Sequence, residues 1–198
     1  MLLFDKSVLR NLPLRSERLT LRKLKLKDIE PVYNILLDRE VSRNIGIPGE
    51  KYDLKYARGY VRQSQIRLRK LKEFELAVER NEDSQFIGAV GLFFISHRHK
   101  TGWIGYWFGR SFWRRGYASE SVKILCDFAF RVLDLHHLTA EVFGYNQASM
   151  RLLEKLGWTR EVVLRRAELI DKKYYDLVRY GLLAEEFMRD NSDLLAQS

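Results

Sequence analysis

Leu19 and Leu21 alternate with polar neighbours, a period of two that predicts an opening β-strand. From Asp28 the apolar spacing lengthens to that of a helix, through Val32, Ile35 and Leu36. Residues 42–49 read as a loop, and residues 53–70 as a second helix rich in basic side chains. Phe74, Leu76 and Val78 alternate again as a strand, and Asn81-Glu82-Asp83-Ser84 reads as a hairpin turn. A long apolar strand follows over 86–96, with the 103–108 strand expected beside it. Ala118, Val122, Leu125, Cys126, Ala129 and Leu133 fall on one helical face. A strand over 138–142 leads to a helix that Asn146 is placed to cap, with Leu152, Leu153 and Leu156 on its buried side and Gly157 as its stop. Strands near 158–164 and 173–182 complete the chain. The fold class is α/β (α+β): a mixed, mostly antiparallel sheet of about seven strands flanked by helices.

Composition bounds this picture. A chain of 198 residues, 46% hydrophobic, can bury one sizeable core. No linker, repeat or low-complexity tract divides it, so residues 1–198 read as a single domain, with a core of about 17–185. Asp5 and Lys6 end the Leu2-Leu3-Phe4 run before a signal-peptide core forms. No apolar segment is long enough to span a bilayer. The single cysteine, Cys126, lies on an apolar helix face and is expected to be a buried, inert thiol in a cytoplasmic protein. His97 and His99 share a strand end without a third ligand nearby, so no metal is expected.

The formal net charge is +9. Arg58, Arg62, Arg67, Arg69, Lys70 and Lys72 gather on the second helix, which is either a solvated face or a contact for ribosomal RNA or an acidic protein surface. A positive field also disfavours polycationic substrates.

The richest stretch is Trp113-Arg114-Arg115-Gly116-Tyr117-Ala118-Ser119-Glu120, between the 103–108 strand and a helix. A strand, a turn with a backbone-exposing glycine and a helix N-terminus make a cradle for phosphate, because the first-turn N–H groups and the helix dipole both favour an anion. An ordinary turn before an amphipathic helix is the plainer alternative. No Lys-Ser/Thr pair follows the glycine, and Gly-x-Gly-x-x-Gly is absent, which disfavours an ordinary nucleotide fold.

Together with Asn146-Gln147-Ala148-Ser149 and Leu156-Gly157-Trp158, this loop resembles the GNAT superfamily of acetyl-CoA-dependent N-acetyltransferases. It is most similar to the Rim-type branch, which acetylates ribosomal-protein N-termini. The resemblance implies the GNAT acyl-CoA N-acyltransferase fold, acetyl-CoA as cosubstrate and no metal. It places Trp107, Phe108 and Gly109 along the pantetheine arm through their main chain. Arg114, Arg115, Gly116, Tyr117, Ala118 and Ser119 then form the pyrophosphate loop, with Asn146 also contacting the cofactor.

Acyl transfer from a thioester to an amine needs a neutral amine, a polarised carbonyl and a proton for the departing thiolate. Leu153 stands where many relatives carry a catalytic Tyr. The resemblance instead assigns the thiolate contact to Ser149 and the base to Glu168. The plainer readings are a first-turn hydrogen bond for Ser149 and a solvated pairing with Arg165 or Arg166 for Glu168. Glu79 and Tyr106 face either the acceptor or the core, since strand register is not fixed by sequence. The expected acceptor is the N-terminal α-amino group of a ribosomal protein, with ribosome or rRNA contact through the basic helix and a homodimer as further implications. The alternatives are a small amine (antibiotic, polyamine or amino acid) and a non-catalytic CoA-sensing or RNA-associated protein.

Overall fold

The computed structural model describes residues 4–46 and 52–190. Part of the expected 42–49 loop and Leu2 and Leu3 lie outside the described residues. Eight strands form one sheet: β1 (Leu14–Arg15), β2 (Leu19–Lys23), β3 (Phe74–Arg80), β4 (Gln85–Ser96), β5 (Thr101–Phe108), β6 (His137–Phe143), β7 (Thr159–Ile170) and β8 (Lys173–Leu183). Their order is β1-β2-β3-β4-β5-β6-β8-β7, and every neighbouring pair is antiparallel except β5 and β6. The expected mixed, mostly antiparallel sheet is thus present, extended by the two-residue β1.

Helices cover both faces of the sheet. α1 (Ile29–Leu36), the single turn α2 (Arg39–Ser42) and α3 (Leu54–Arg69) follow β2. α1 and α3 bury Val32, Leu36, Ala57 and Val61 against Ala77, Ala89 and Trp107. On the opposite face, α4 (Tyr117–Asp127) packs Val122, Leu125 and Cys126 into a larger core. α5 (Gln147–Lys155) and α6 (Ala184–Asp190) add Leu153 and Phe187 to that core. Burial on both faces explains why Phe74 to Val78 are all buried, where alternation alone suggested a half-exposed strand. Cys126 is free and buried, and burial pushes its thiol well above the usual range. The α4 face continues through one π turn, Phe128–Val132, keeping Ala129 and Leu133 inside.

One buried charge cluster anchors α1 to the sheet. The Arg22 guanidinium donates to both Asp28 oxygens at 2.7 and 2.8 Å and to Glu79 at 2.7 Å. Asp28 also accepts the Lys25 amide at 2.7 Å, which fixes the turn into α1. Glu79 is thereby committed to this cluster and lies away from the cleft described below. Removing one member of a buried pair strands its partner in low dielectric. Asp28→Ala is expected to cost about 3–5 kcal/mol in urea unfolding, and joint replacement of the cluster by Arg22→Met, Asp28→Leu and Glu79→Leu much less.

Candidate active site

β5 and β6 pair only through Thr101–Trp103 and His137–Thr139. Beyond these three residue pairs the strands part, and a cleft of about 830 Å³ opens between Ile104–Phe108 and Ala140–Phe143. It lies at the C-terminal ends of both strands, where α4 and α5 begin. Two helix N-termini therefore bring unpaired N–H groups and positive dipole ends to the same opening.

The parting also frees one edge of β5. Gly109 donates its N–H to Ile87 O at 3.0 Å, and the β4–β5 register is regular from Gly88↔Phe108 to Phe93↔Trp103. Strand alternation then turns the Trp107 amide toward β4, like that of Gly109, and turns those of Tyr106 and Phe108 toward the opening. The Phe108 carbonyl on that side accepts from Trp113 Nε1 at 2.8 Å. Of the three main-chain positions expected to meet a ligand, Phe108 is the one whose backbone faces it. Trp107 is also among the lining residues, and Gly109 lies outside the lining.

The turn into α4 is built for close approach. Arg114 has φ 60° and Gly116 φ 81°, ψ −3°, so the chain enters the helix through two left-handed residues. No side chain caps α4, and its first backbone bond runs from Glu120 N to Gly116 O at 3.1 Å. That leaves the Tyr117, Ala118 and Ser119 amides without helical acceptors, all at the cleft. Glu120 sits in this first turn, but its charge is met on the far side by Ser16 Oγ at 2.6 Å and by the Arg18 guanidinium. Arg18 also donates to Arg115 O at 3.2 Å and stacks over the Tyr117 ring at 5.1 Å. Arg114 lines the cleft, whereas Arg115 lies outside its lining. This uncapped cradle fits a pyrophosphate.

At the α5 end, Asn146 is the N-cap, its side chain accepting the Ser149 amide at 3.1 Å. The Ser149 hydroxyl is thus free of the capping role and meets Tyr106 Oη across the split at 2.7 Å. Burial pushes the Tyr106 phenol above its usual range, so it is a neutral hydrogen-bonding group. Sequence left Tyr106 undecided between core and site, and only the register resolves it.

Two carboxylates line the cleft. Glu141 is held by Arg179 through bonds of 2.7 and 3.0 Å. Glu168 is exposed, and its side chain makes no hydrogen bond or ion pair among the described residues. It sits opposite Tyr175, where the β7–β8 register shifts after Leu164. Arg166 in this bulge has φ 51° and gives its amide to Asp176 at 2.8 Å. Bulges of this kind re-aim neighbouring side chains. On the remaining side, Val41, Asn44 and Ile45 close the cleft. Tyr145 Oη donates to Arg43 O at 2.7 Å, and Arg39 pairs with Asp171, tying that wall to the β6–α5 turn and the β7–β8 hairpin.

Among the described residues, no group of three or more His, Cys, Asp or Glu is placed to hold a metal. No described helix is long and apolar enough to cross a membrane.

Residues 18–159 match the model of the acetyltransferase (GNAT) domain family. The chain is 32% identical over 176 residues to the uncharacterized N-acetyltransferase p20 of Bacillus licheniformis, covering 88% of this chain and 97% of that protein. Among solved structures, spermidine N-acetyltransferase from Vibrio cholerae in complex with CoA and spermine superposes with a TM-score of 0.78 at 21% identity, covering 87% of this chain and 99% of the other. RimJ from Mycobacterium smegmatis in complex with CoA-disulfide gives 0.74 at 23% identity, covering 85% and 83%. These two likenesses are likenesses of fold. The family match spans most of the chain, and the protein belongs to the GNAT family of N-acetyltransferases, with acetyl-CoA as its acetyl donor.

Proposed function

We propose that this protein acetylates the N-terminal α-amino group of a protein, a ribosomal protein above all, by direct transfer within the β5–β6 cleft. The observation that carries the chemistry is the Ser149–Tyr106 pair in the split, with Glu168 as the cleft carboxylate left without a partner. The Tyr117, Ala118 and Ser119 amides bind the pyrophosphate, aided by Arg114 and by the conformation of Gly116. The Phe108 and Tyr106 amides orient the pantetheine arm, and Asn146 holds the first turn of α5 in place. Ser149 donates a hydrogen bond to the departing thiolate, and Tyr106 donates in turn to Ser149. Glu168 takes the proton from the incoming ammonium, directly or through water.

The acceptor follows from acidity and charge. An α-ammonium has a reference pKa of about 8 against about 10.4 for lysine, so an exposed carboxylate suffices to free it near neutral pH. On α3, Arg58, Arg62 and Arg69 are exposed, as are Lys70 and Lys72 just beyond it. Arg67 pairs with Glu73 at 3.0 Å. This basic face suits the approach to a ribosome. A second reading, a small amine, is favoured by the spermine-bound structural relative.

Incubation with acetyl-CoA and a mixture of ribosomal proteins, polyamines, amino acids and aminoglycosides, read by mass spectrometry, separates the two. An acetyl group on one protein's N-terminal residue is expected, and labelling of a small amine alone overturns the protein-acceptor reading. Glu168→Gln should lower turnover at least about 10-fold at pH 7 and less at pH 9, with acetyl-CoA affinity in calorimetry unchanged. Unaltered turnover removes Glu168 from the mechanism. Gly116→Trp places a bulky side chain at φ 81° in the cradle and should abolish acetyl-CoA binding while the circular dichroism spectrum persists. Retained binding shows that the pyrophosphate sits elsewhere.

A further inference from the structure

Between the sheet and α1/α3, apart from the Arg22–Asp28–Glu79 cluster, lies a buried carboxylate that the acetyl-transfer chemistry does not use. Glu75, on β3, is only 8% exposed, and its partner on β4 is Gly91, which offers no polar side chain. Its carboxylate accepts from the Tyr60 hydroxyl on α3. The Tyr60 oxygen in turn accepts from Trp107 Nε1 at 3.3 Å, with the two rings 6.2 Å apart. Trp107 lies between the two β5 residues whose amides face the opening, and it is one of the residues that line the cleft. Three elements, α3, β3 and β5, are thus joined by one partly buried hydrogen-bond chain that ends at a residue of the site.

Stability alone argues for a different residue at position 75. A carboxylate taken into an apolar layer with only a neutral hydroxyl as donor is costly compared with a packed hydrocarbon. The groups acting on it are Tyr60 and Arg67 from α3 and Glu73 from the turn before β3. Arg67 is itself bonded to Glu73, so no cation is committed to Glu75. An ionised acceptor does strengthen the chain, because a charge-assisted bond polarises the hydroxyl and makes its oxygen a better acceptor for the indole N–H.

We propose that Glu75 is a positioning residue for the acetyl-transfer cleft, acting through the Tyr60 hydroxyl to fix the indole of Trp107, a residue of its wall. The role of that wall rests on the cleft reading above, but the hydrogen-bond chain is measurable without any acetyl acceptor. Burial, reinforced by the nearby Glu73 charge, raises the Glu75 carboxyl to about 7, while the Tyr60 bond opposes this. The hold on Trp107 is therefore strong above neutral pH and weak below it.

The test follows the indole N–H resonances of ¹⁵N-labelled protein from pH 5.5 to 8.5. Trp107 is identified by the cross-peak that Trp107→Phe removes from the set of four tryptophans. In the wild type that peak should titrate with a midpoint near 7. Glu75→Gln should abolish the titration, and Tyr60→Phe should shift the peak and uncouple it from Glu75. A Trp107 peak that does not titrate in the wild type, or titrates identically in Glu75→Gln, overturns the proposal.

A stability readout runs in parallel. A carboxyl whose folded pKa is raised contributes stability present below the unfolded value near 4.5 and lost as pH rises through about 7. The wild-type unfolding constant should thus rise on the order of 10²-fold across that window, and Glu75→Gln should flatten the rise. A curve equally steep in Glu75→Gln also overturns the proposal. Failure of the Glu168 experiment with a titrating Trp107 leaves the chain standing and removes only the catalytic assignment.

Discussion

The parting of β5 from β6 is the constraint on which the rest of the site depends. Strands in a sheet normally satisfy each other's amides and carbonyls, and a buried edge left open is costly. Here the pairing stops after Trp103 and Thr139, and the two strands run on separately to α4 and α5. The open stretch of β5 keeps its β4 partner, so the sheet loses only the bonds on one side. What is left is a pair of backbone amides in fixed positions beside two helix N-termini. A ligand with carbonyls at one end and phosphates at the other completes hydrogen bonds that the fold leaves incomplete.

Electrostatics in the cleft follow from how neighbouring charges are disposed of. Glu120 occupies the first turn of α4, where its negative charge is a liability for the proposed anion site, and Arg18 pairs with it while Ser16 hydrogen-bonds to it from outside the cradle. Arg179 does the same for Glu141. Glu168 has no such companion among the described residues and faces the cleft from a bulged edge strand. The contrast between two carboxylates lining one cleft, one tied and one untied, separates structural charge from chemically available charge.

Much of this was legible in the sequence, for physical reasons that also mark where legibility stops. The long periodic helices and the alternating strands were readable because burial imposes their spacing. Asn146 as a cap was equally legible, since few residue types satisfy a first-turn amide. β1 and α6 escaped notice because two residues and seven residues are too short to show a period. Which β5 amides face the opening depends on the partner register, so Phe108 could not be separated from Trp107 and Gly109 by inspection. Glu75 and Tyr106 were obscured in the same way. Alternation reports that one face of a strand is buried, but it is silent about helices that cover the other.

The Arg18 anchor has a consequence for ligand capture. By gripping Glu120, the Arg115 carbonyl and the Tyr117 ring, it ties the α4 entrance to the β1–β2 turn about 100 residues earlier in the chain. A glycine-centred loop would otherwise sample many conformations, and a ligand would have to freeze them on arrival. With the turn already locked, that ordering entropy is spent during folding. On the proposed reading of the loop, the arriving nucleotide end meets a socket of finished shape, and the free energy of phosphate contact goes into residence time.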